Sequence, residues 1–279
     1  MMKLGFNQAT CMMNSTLEQD IRLAEACGYD VIELRLDMLA DYLKQHDISE
    51  LAAFFATSHL KPYGYNSLEN INFCDARRWQ EKRAQLAFAC NVASAIGGDC
   101  LVVVPTVQAG LLPSQAEVIS DSVKRLRELA DYAGEHGMRL AFEPIGSADC
   151  CVRSLPLAME IVDAVDRDNV GLVVDAFNLF LFDQWQDPTI LRQVPTEKIF
   201  VYHIDDADDL PAGKLDHCHR LFPGNGVIPL AEISRQLISQ CYTGPCSLEL
   251  FNPGYWRMAA QDVFAIGASK TRPFLGVDA

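Results

Sequence analysis

The stretch Met138–Pro144, MRLAFEP, is a run of strand-forming apolar residues that ends on a metal-binding side chain, Glu143. Three later stretches have the same design: VGLVVD ends at Asp175, IFVYH ends at His203, and CSLELF carries Glu249. The first two intervals between these four side chains each have the length of one strand–helix unit. The third interval is longer, as expected for a strand–helix unit with an inserted loop. We therefore predict four consecutive strands whose ends each present one candidate metal ligand.

The rest of the chain alternates strand-like and helix-like segments in the same way. Strands are predicted at Lys3–Asn7, Val31–Arg35, Lys61–Asn66, Cys100–Pro105, a segment ending at Glu143, Val170–Asp175, Ile199–Ile204 and Pro245–Leu250. Helices are predicted from Ser15 or Thr16 to Cys27, and at Asp37–Ala56 with a break near Asp47, Asp75–Ile96, Ser114–His136, Leu155–Val165, Asp187–Val194, Pro229–Gln240 and Met258–Ser269, whereas 205–227 is irregular. Near-continuous apolar strands alternating with helices indicate a parallel sheet covered on both faces. Eight such units in 279 residues predict an α/β fold, a closed (β/α)₈ TIM barrel, as a single domain spanning residues 1–279.

The composition is that of a soluble globular protein, with 49% hydrophobic and 22% charged residues. The chain has no run of about 18 apolar residues and enters a strand pattern directly, so we expect a cytoplasmic protein without a membrane partner. The net charge of −14 disfavours a nucleic-acid partner, because phosphate binding relies on clustered Lys and Arg. The ten cysteines are scattered without a CxxC pair, so we expect reduced thiols rather than disulfides or a structural zinc. The sequence does not decide whether the protein forms a homo-oligomer.

The predicted barrel brings the four strand-end side chains to one place. Barrel enzymes carry out their chemistry at the carboxyl ends of the strands, and these four side chains are Glu143, Asp175, His203 and Glu249. Taken singly, a strand-end acid can be a helix cap, and a buried histidine can be a hydrogen-bonded core residue. Four of them at corresponding places favour a site for one divalent metal ion. Three carboxylates and one imidazole favour Mn²⁺ or Mg²⁺, and Co²⁺ or Zn²⁺ also suits the set.

Such a site favours one class of reaction. Moving a carbonyl group along a polyol, or inverting the carbon beside it, requires a weakly acidic C–H proton to be removed and returned. A metal-stabilised enediolate lies between the two steps. Glu143 and Glu249 are the candidate acid/base pair, because two carboxylates can take the proton and deliver it. The sequence therefore favours an isomerase or epimerase that acts on a small polyol ketone or sugar by proton transfer.

Further polar side chains at the predicted carboxyl end of the barrel are candidates for contacting the substrate: Asn7, Arg35, Asn66 and Arg220. Each also has a structural interpretation, a surface salt bridge for Arg220 and helix capping for the residues that end the first three strands. Asp205 or Asp206, directly after the predicted seventh strand, is a candidate for supporting His203 through a hydrogen bond.

Six stretches spread over nearly the whole chain carry a resemblance to a known family: KLGFNQAT, GYDVIELRLDML, RDNVGLVVDAFN, KIFVYHIDDADDLP, RLFPGNG and SLELFNPGYW. In them the chain resembles the xylose isomerase-like TIM barrels, a family of sugar isomerases and epimerases, and in particular the inosose (2-keto-myo-inositol) isomerases of inositol catabolism. The resemblance implies that Glu143, Asp175, His203 and Glu249 hold the metal and that the two glutamates act as acid and base. The chain departs from the family where many relatives have His three residues after the metal-binding Asp. It has Asn178 there, which is a further candidate for contacting the substrate.

Four other functions stay open beside that of an inosose isomerase. An inosose dehydratase or a ketose 3-epimerase would use the same metal site. An endonuclease IV-like DNA repair enzyme belongs to a distant branch of the family, but that site needs several more metal-binding histidines, and the chain has six histidines in all. A non-catalytic sugar-binding protein would keep its ligand when the metal is lost.

Overall fold

Eight parallel strands close into a barrel in the computed structural model, which describes residues 1–110 and 113–276. The strands are β1 Lys3–Asn7, β2 Val31–Arg35, β3 Lys61–Leu68, β4 Cys100–Val103, β5 Arg139–Phe142, β6 Val170–Asp175, β7 Ile199–Ile204 and β8 Pro245–Leu248. Each strand pairs with its neighbours in the sequence, and β8 pairs with β1 to close the barrel. The predicted (β/α)₈ TIM barrel is therefore confirmed.

Helices cover the outside of the barrel, and several begin at a side chain that caps them. They are α1 Leu17–Ala26, α2 Leu36–Tyr42, α3 Ile48–Thr57, α4 Ala76–Ile96, α5 Gln115–Glu135, α6 Leu155–Val165, α7 Ala176–Asp183, α8 Leu230–Ser239 and α9 Ala260–Thr271. The side chains of Thr16, Asp47 and Ser114 each accept a backbone N–H of the first turn and form capping boxes. Gly28 follows α1 with a φ of +72°, a conformation that glycine adopts without strain. None of the helices within the described ranges has the length and apolar character that crossing a bilayer requires.

Two features of the second half of the chain differ from the prediction. Helix α7 was not predicted, because residues 176–181 are all buried and the segment shows no alternation of polar and apolar faces. The helix expected at Asp187–Val194 is instead a 3₁₀ turn, Ile190–Gln193. Pro195 accounts for the end of this turn at Val194, since the residue before a proline is pushed out of the helical conformation.

The stretch 205–227, predicted to be irregular, contains a short antiparallel pair of strands. Asp206–Ala207 pairs with Arg220–Leu221. The pairing folds the long loop after β7 back on itself, so that Arg220 returns to the carboxyl end of the barrel. This return places Arg220 beside residues that follow β7 directly.

Apolar side chains fill the inside of the barrel as well as the space between barrel and helices. The inner cluster consists of Cys100, Val102, Ala141, Val173, Phe200 and Val201. Because side chains two residues apart point to the same side of a strand, the inward-facing Val173 is followed by an inward-facing Asp175. The same step leads from Val201 to His203. The interior is therefore apolar in its middle and acidic at the carboxyl ends of the strands.

Candidate metal centre

The carboxyl end of the barrel holds a buried cluster of three carboxylates and one imidazole. One ligand atom from each of Glu143, Asp175, His203 and Glu249 lies within 4.8 Å of the others. The Nδ1 atom of His203 is 3.3 Å from Glu249 Oε2, 3.5 Å from Glu143 Oε1 and 3.6 Å from Asp175 Oδ2. Each of the four side chains belongs to a residue that is at most 4% exposed. The structure thus brings together the four side chains that the sequence singled out.

Four different strands deliver these side chains. Asp175 is the last residue of β6, and His203 lies one residue before the end of β7. Glu143 and Glu249 follow directly after β5 and β8. Asp175 also caps α7, because its Oδ1 accepts the N–H of Asn178 at 2.6 Å. This bond fixes the carboxylate and leaves Oδ2 to face the other three side chains.

One atom of the cluster lacks the partner that buried polar atoms normally have. Among the described residues, His203 Nδ1 finds no hydrogen bond of good geometry, although it is buried. Three carboxylates packed this closely also repel one another unless positive charge lies among them. A divalent cation meets both needs, since carboxylate oxygen and imidazole nitrogen are common ligands for such ions. The donor set therefore fits a metal ion.

The guanidinium of Arg220 supplies positive charge at the side of the cluster. Arg220 is 1% exposed, and its Nη1 lies 2.9 Å from both Asp175 Oδ2 and Glu249 Oε2. The rings of Phe177 and Phe251 cover the guanidinium, with their centroids 5.1 and 5.3 Å from its carbon. The salt bridge that was open as an alternative for Arg220 is thus present, but inside the site rather than on the surface.

The second nitrogen of His203 is held by a residue that was not predicted from the sequence, Glu33. His203 Nε2 lies 3.2 Å from each carboxylate oxygen of Glu33, and both side chains are buried. Glu33 is the central residue of the apolar strand VIELR, and an acid in that position is the signal that could have revealed it. A carboxylate partner fixes the orientation of a ligating imidazole and makes its other nitrogen a better ligand.

Asp205 and Asp206, the residues predicted to support His203, make their contacts elsewhere. Asp205 Oδ1 accepts a backbone N–H at the start of α7, and Oδ2 lies 2.5 Å from Arg220 Nη1. Asp206 Oδ2 accepts two backbone N–H groups of the PGNG turn, at 3.0 and 2.8 Å. The prediction is wrong because the chain leaves the barrel after β7, so that these side chains meet the neighbouring loops instead of the imidazole.

Amide side chains hold the two glutamates of the cluster. Asn7 and Asn66 donate hydrogen bonds to Glu249 Oε1 at 2.8 and 3.1 Å. Asn178 donates to Glu143 Oε1 at 3.2 Å. All three amides belong to residues that are at most 5% exposed. The structure therefore places three of the residues predicted to contact substrate directly against the two glutamates.

Arg35, also predicted to contact substrate, pairs with Asp37 instead of the cluster. Its guanidinium donates two hydrogen bonds to that carboxylate, at 3.0 and 2.8 Å. The pair forms part of the wall of a cavity of about 500 Å³, which Asn66 and Lys82 also line. Asn66 also touches Glu249, but the rest of the cavity lies between α2, the end of β3 and α4, and none of the four cluster residues lines it. Its volume lies in the range of small-molecule binding sites.

Burial and neighbouring charges give the carboxylates different pKa values. Burial, together with Glu249 and Asp175, raises the pKa of Glu143 to about 7. Burial also raises the pKa of Glu249. Burial opposes ionisation of Asp175 too, but Arg220 and His203 hold the pKa of Asp175 at about 2. One carboxylate is therefore ionised throughout the neutral range, whereas the two glutamates bind a proton more readily.

Known proteins with similar sequences or structures share this barrel. The xylose isomerase-like TIM barrel family matches residues 21–269 of the chain. An inosose isomerase of Bacillus velezensis is 36% identical over 271 residues, which are 97% of this chain and 96% of that protein. The IolI protein, solved at 1.8 Å with a bound zinc atom, is 36% identical, with a TM-score of 0.94 and 98% of each chain covered. A 3-dehydroshikimate dehydratase of Pseudomonas aeruginosa is 28% identical over 250 residues, which are 88% of this chain and 38% of that protein.

Proposed function

The chain belongs to the xylose isomerase-like TIM barrel family, and we propose on this basis that it is a divalent-metal-dependent isomerase or epimerase of a cyclic polyol ketone. The substrate that we propose is an inosose, 2-keto-myo-inositol, because an inosose isomerase is similar to the chain over nearly its full length. The observation that carries the proposal is the buried cluster of three carboxylates and one imidazole at the carboxyl end of the barrel.

Glu143, Asp175, His203 and Glu249 would hold the metal ion. When bound, the ion supplies positive charge that stabilises the substrate oxygens while the neighbouring C–H bond is broken. The oxygen-rich donor set favours Mn²⁺, although the similar IolI protein was solved with zinc. Glu33 keeps the imidazole of His203 in position for this role.

Glu143 and Glu249 are proposed to move the proton. One glutamate takes it from the carbon beside the carbonyl, and the other returns it to the neighbouring carbon or to the opposite face. Burial favours the protonated form of Glu143, whereas a bound cation favours the carboxylate, and these opposing effects set the pKa at which Glu143 takes and releases the proton. The amide of Asn178 fixes one oxygen of Glu143, and those of Asn7 and Asn66 fix one oxygen of Glu249. Each carboxylate is therefore held in one orientation toward the substrate.

The substrate itself is proposed to contact Arg220 and the amides of the site. Arg220 has five N–H donors and is buried beside both a glutamate and an aspartate of the cluster. The charge of Arg220 is thus paired, and the amides of Asn7, Asn66 and Asn178 carry no charge. Paired charges and amides suit an uncharged polyol ketone better than an anionic substrate.

A dehydratase is the second candidate function, because a 3-dehydroshikimate dehydratase is among the similar proteins. A dehydratase and a 3-epimerase begin with the same proton removal and differ in the second step. In a dehydratase a hydroxyl leaves from the next carbon, and a double bond remains. The product therefore distinguishes these functions, whereas the first step does not.

Proton exchange in D₂O tests the proposal. The protein with Mn²⁺ is incubated with 2-keto-myo-inositol, other inososes and a set of ketohexoses, and proton NMR measures the C–H signals beside each carbonyl. We expect the inosose signal to disappear and an isomeric ketone to form, and we expect neither after chelation of the metal. An unsaturated product would assign a dehydratase. Absence of exchange in every compound would overturn the proposed isomerase and leave a binding protein or another enzyme.

A further inference from the structure

His217 stands beside Arg220 without a part in the proposed proton transfer. It begins the 3₁₀ turn His217–His219 in the long loop after β7. Its ring lies near those of Phe177 and Phe251, with centroid distances of 6.0 and 5.5 Å. The same two aromatic rings cover the guanidinium of Arg220. His217 is therefore built into the wall of the site that carries Arg220.

One nitrogen of the His217 ring is already bound. Nδ1 lies 3.2 Å from Arg220 Nη2. A guanidinium only donates hydrogen bonds, so Nδ1 must be the acceptor. Burial and the charge of Arg220 lower the pKa of His217 to about 4, which keeps the ring neutral at physiological pH. A neutral imidazole whose Nδ1 accepts carries its proton on Nε2.

The other nitrogen of the ring is available. Among the described residues, Nε2 of His217 has no hydrogen-bond partner, and unlike Nδ1 of His203 it is not shut off from solvent. The residue as a whole is half-buried. Arg220 and the aromatic rings hold the imidazole in place, so the ring presents a fixed N–H donor next to Arg220.

We propose that His217 binds the substrate by donating a hydrogen bond from Nε2–H to one of its hydroxyl or carbonyl oxygens. The inference rests on the proposed function, because it names a residue that recognises the polyol ketone. An uncharged donor on a fixed ring suits an uncharged oxygen, and little rotational freedom is lost when the bond forms. His217 thereby adds a determinant of substrate affinity to the loop that also delivers Arg220.

Two substitutions separate substrate binding from support of Arg220. In His217→Asn, the amide oxygen can take the place of Nδ1 and accept from Arg220, but no donor replaces Nε2–H. In His217→Gln, the amide nitrogen can reach the place of Nε2 and donate, while the acceptor for Arg220 is lost. Both variants and the wild type are assayed with Mn²⁺ and 2-keto-myo-inositol, and their melting temperature and metal content are measured as controls.

We expect His217→Asn to raise KM roughly 3- to 10-fold, the effect of losing one neutral hydrogen bond, and His217→Gln to stay closer to the wild type. The value of kcat should change less than KM. The reverse order, with the Gln variant impaired and the Asn variant normal, would show that His217 only orients Arg220. That order would overturn the inference, as would equal KM values in the two variants.

Nitrogen-15 NMR of the histidine-labelled wild type tests the ring without any substitution. At pH 7 we expect a proton on Nε2 and a bare Nδ1, and addition of 2-keto-myo-inositol should shift the Nε2 signal. A proton on Nδ1, or an unchanged signal at saturating ligand, would overturn the inference. If the wild type turns over the inosose but KM is insensitive to His217, the inference alone fails. If the wild type neither binds nor exchanges any polyol ketone, the proposed function fails and the inference fails with it.

Discussion

Replacing Glu33 by glutamine keeps the size of the side chain and one accepting oxygen but removes the negative charge beside His203. Both carboxylate oxygens of Glu33 lie 3.2 Å from His203 Nε2, and each of the two side chains is at most 1% exposed. In such a place the charge orients the ring and strengthens Nδ1 as a metal ligand. Loss of such a partner lowers metal affinity about 10- to 100-fold, which corresponds to about 1.4 to 2.7 kcal/mol.

We expect the lower end of this range for Glu33→Gln and the upper end for Glu33→Ala, because alanine removes the hydrogen bond as well as the charge. Calorimetric titration of the metal-free protein with Mn²⁺, in competition with a chelator, measures the dissociation constant. Glu69→Gln is the control, since Glu69 is an exposed acid that comes directly after β3 at the same end of the barrel. The affinity of Glu69→Gln for Mn²⁺ should equal that of the wild type. A dissociation constant for Glu33→Ala within twofold of the wild type would refute the role assigned to Glu33.

Glu143→Gln and Glu249→Gln should each slow proton exchange at the substrate carbon about 100-fold or more, with the fold preserved; exchange at the wild-type rate in both would rule out proton transfer by this pair. Burial raises the pKa of Asp20 to about 7 although Gln8 donates to its carboxylate, so the folded protein holds a proton that the unfolded chain releases near pH 4. The free energy of unfolding should therefore fall as the pH rises from about 4 to about 7. Measured by urea unfolding at pH 8, it should be higher for Asp20→Asn than for the wild type by up to about 4 kcal/mol. A difference between the two proteins that does not vary with pH would contradict this. Asn178→His puts a titrating ring beside Glu143, and we expect nearly unchanged metal affinity but a new limb in the pH–rate profile between about pH 6 and 7. An unchanged profile with a lowered melting temperature would mean that Asn178 only holds the start of α7.

The barrel strands could be predicted because their signal is local. Val170–Asp175 is a continuous apolar run that ends on an acid, and β6 has those bounds. Ile199–Ile204 coincides with β7 in the same way. The signals for helix starts are equally local, since Thr16 and Ser114 cap α1 and α5 through hydrogen bonds to residues three positions away. The barrel topology then placed four side chains at one end without any knowledge of their contacts.

The contacts within the site depend on pairs of residues that are far apart in the chain. Glu33 and His203 are separated by 170 positions, and no local pattern joins an acid in β2 to an imidazole in β7. Asp206 lies just beyond the seventh strand, yet the turn of the chain there aims it at the PGNG loop. Helix α7 escaped prediction for another reason, because a fully buried helix has no polar face to set a period.

Metal content per chain is the most direct measure of whether Glu143, Asp175, His203 and Glu249 form one divalent-ion site. The protein is loaded with Mn²⁺, free metal is removed by gel filtration, and the ion is quantified by mass spectrometry. The wild type should hold one ion per chain, and so should His59→Ala, which removes an exposed histidine outside the cluster. His203→Ala and Asp175→Ala should hold none, because each lacks one of the four ligands. One ion per chain in both of these variants would contradict the assignment of the site.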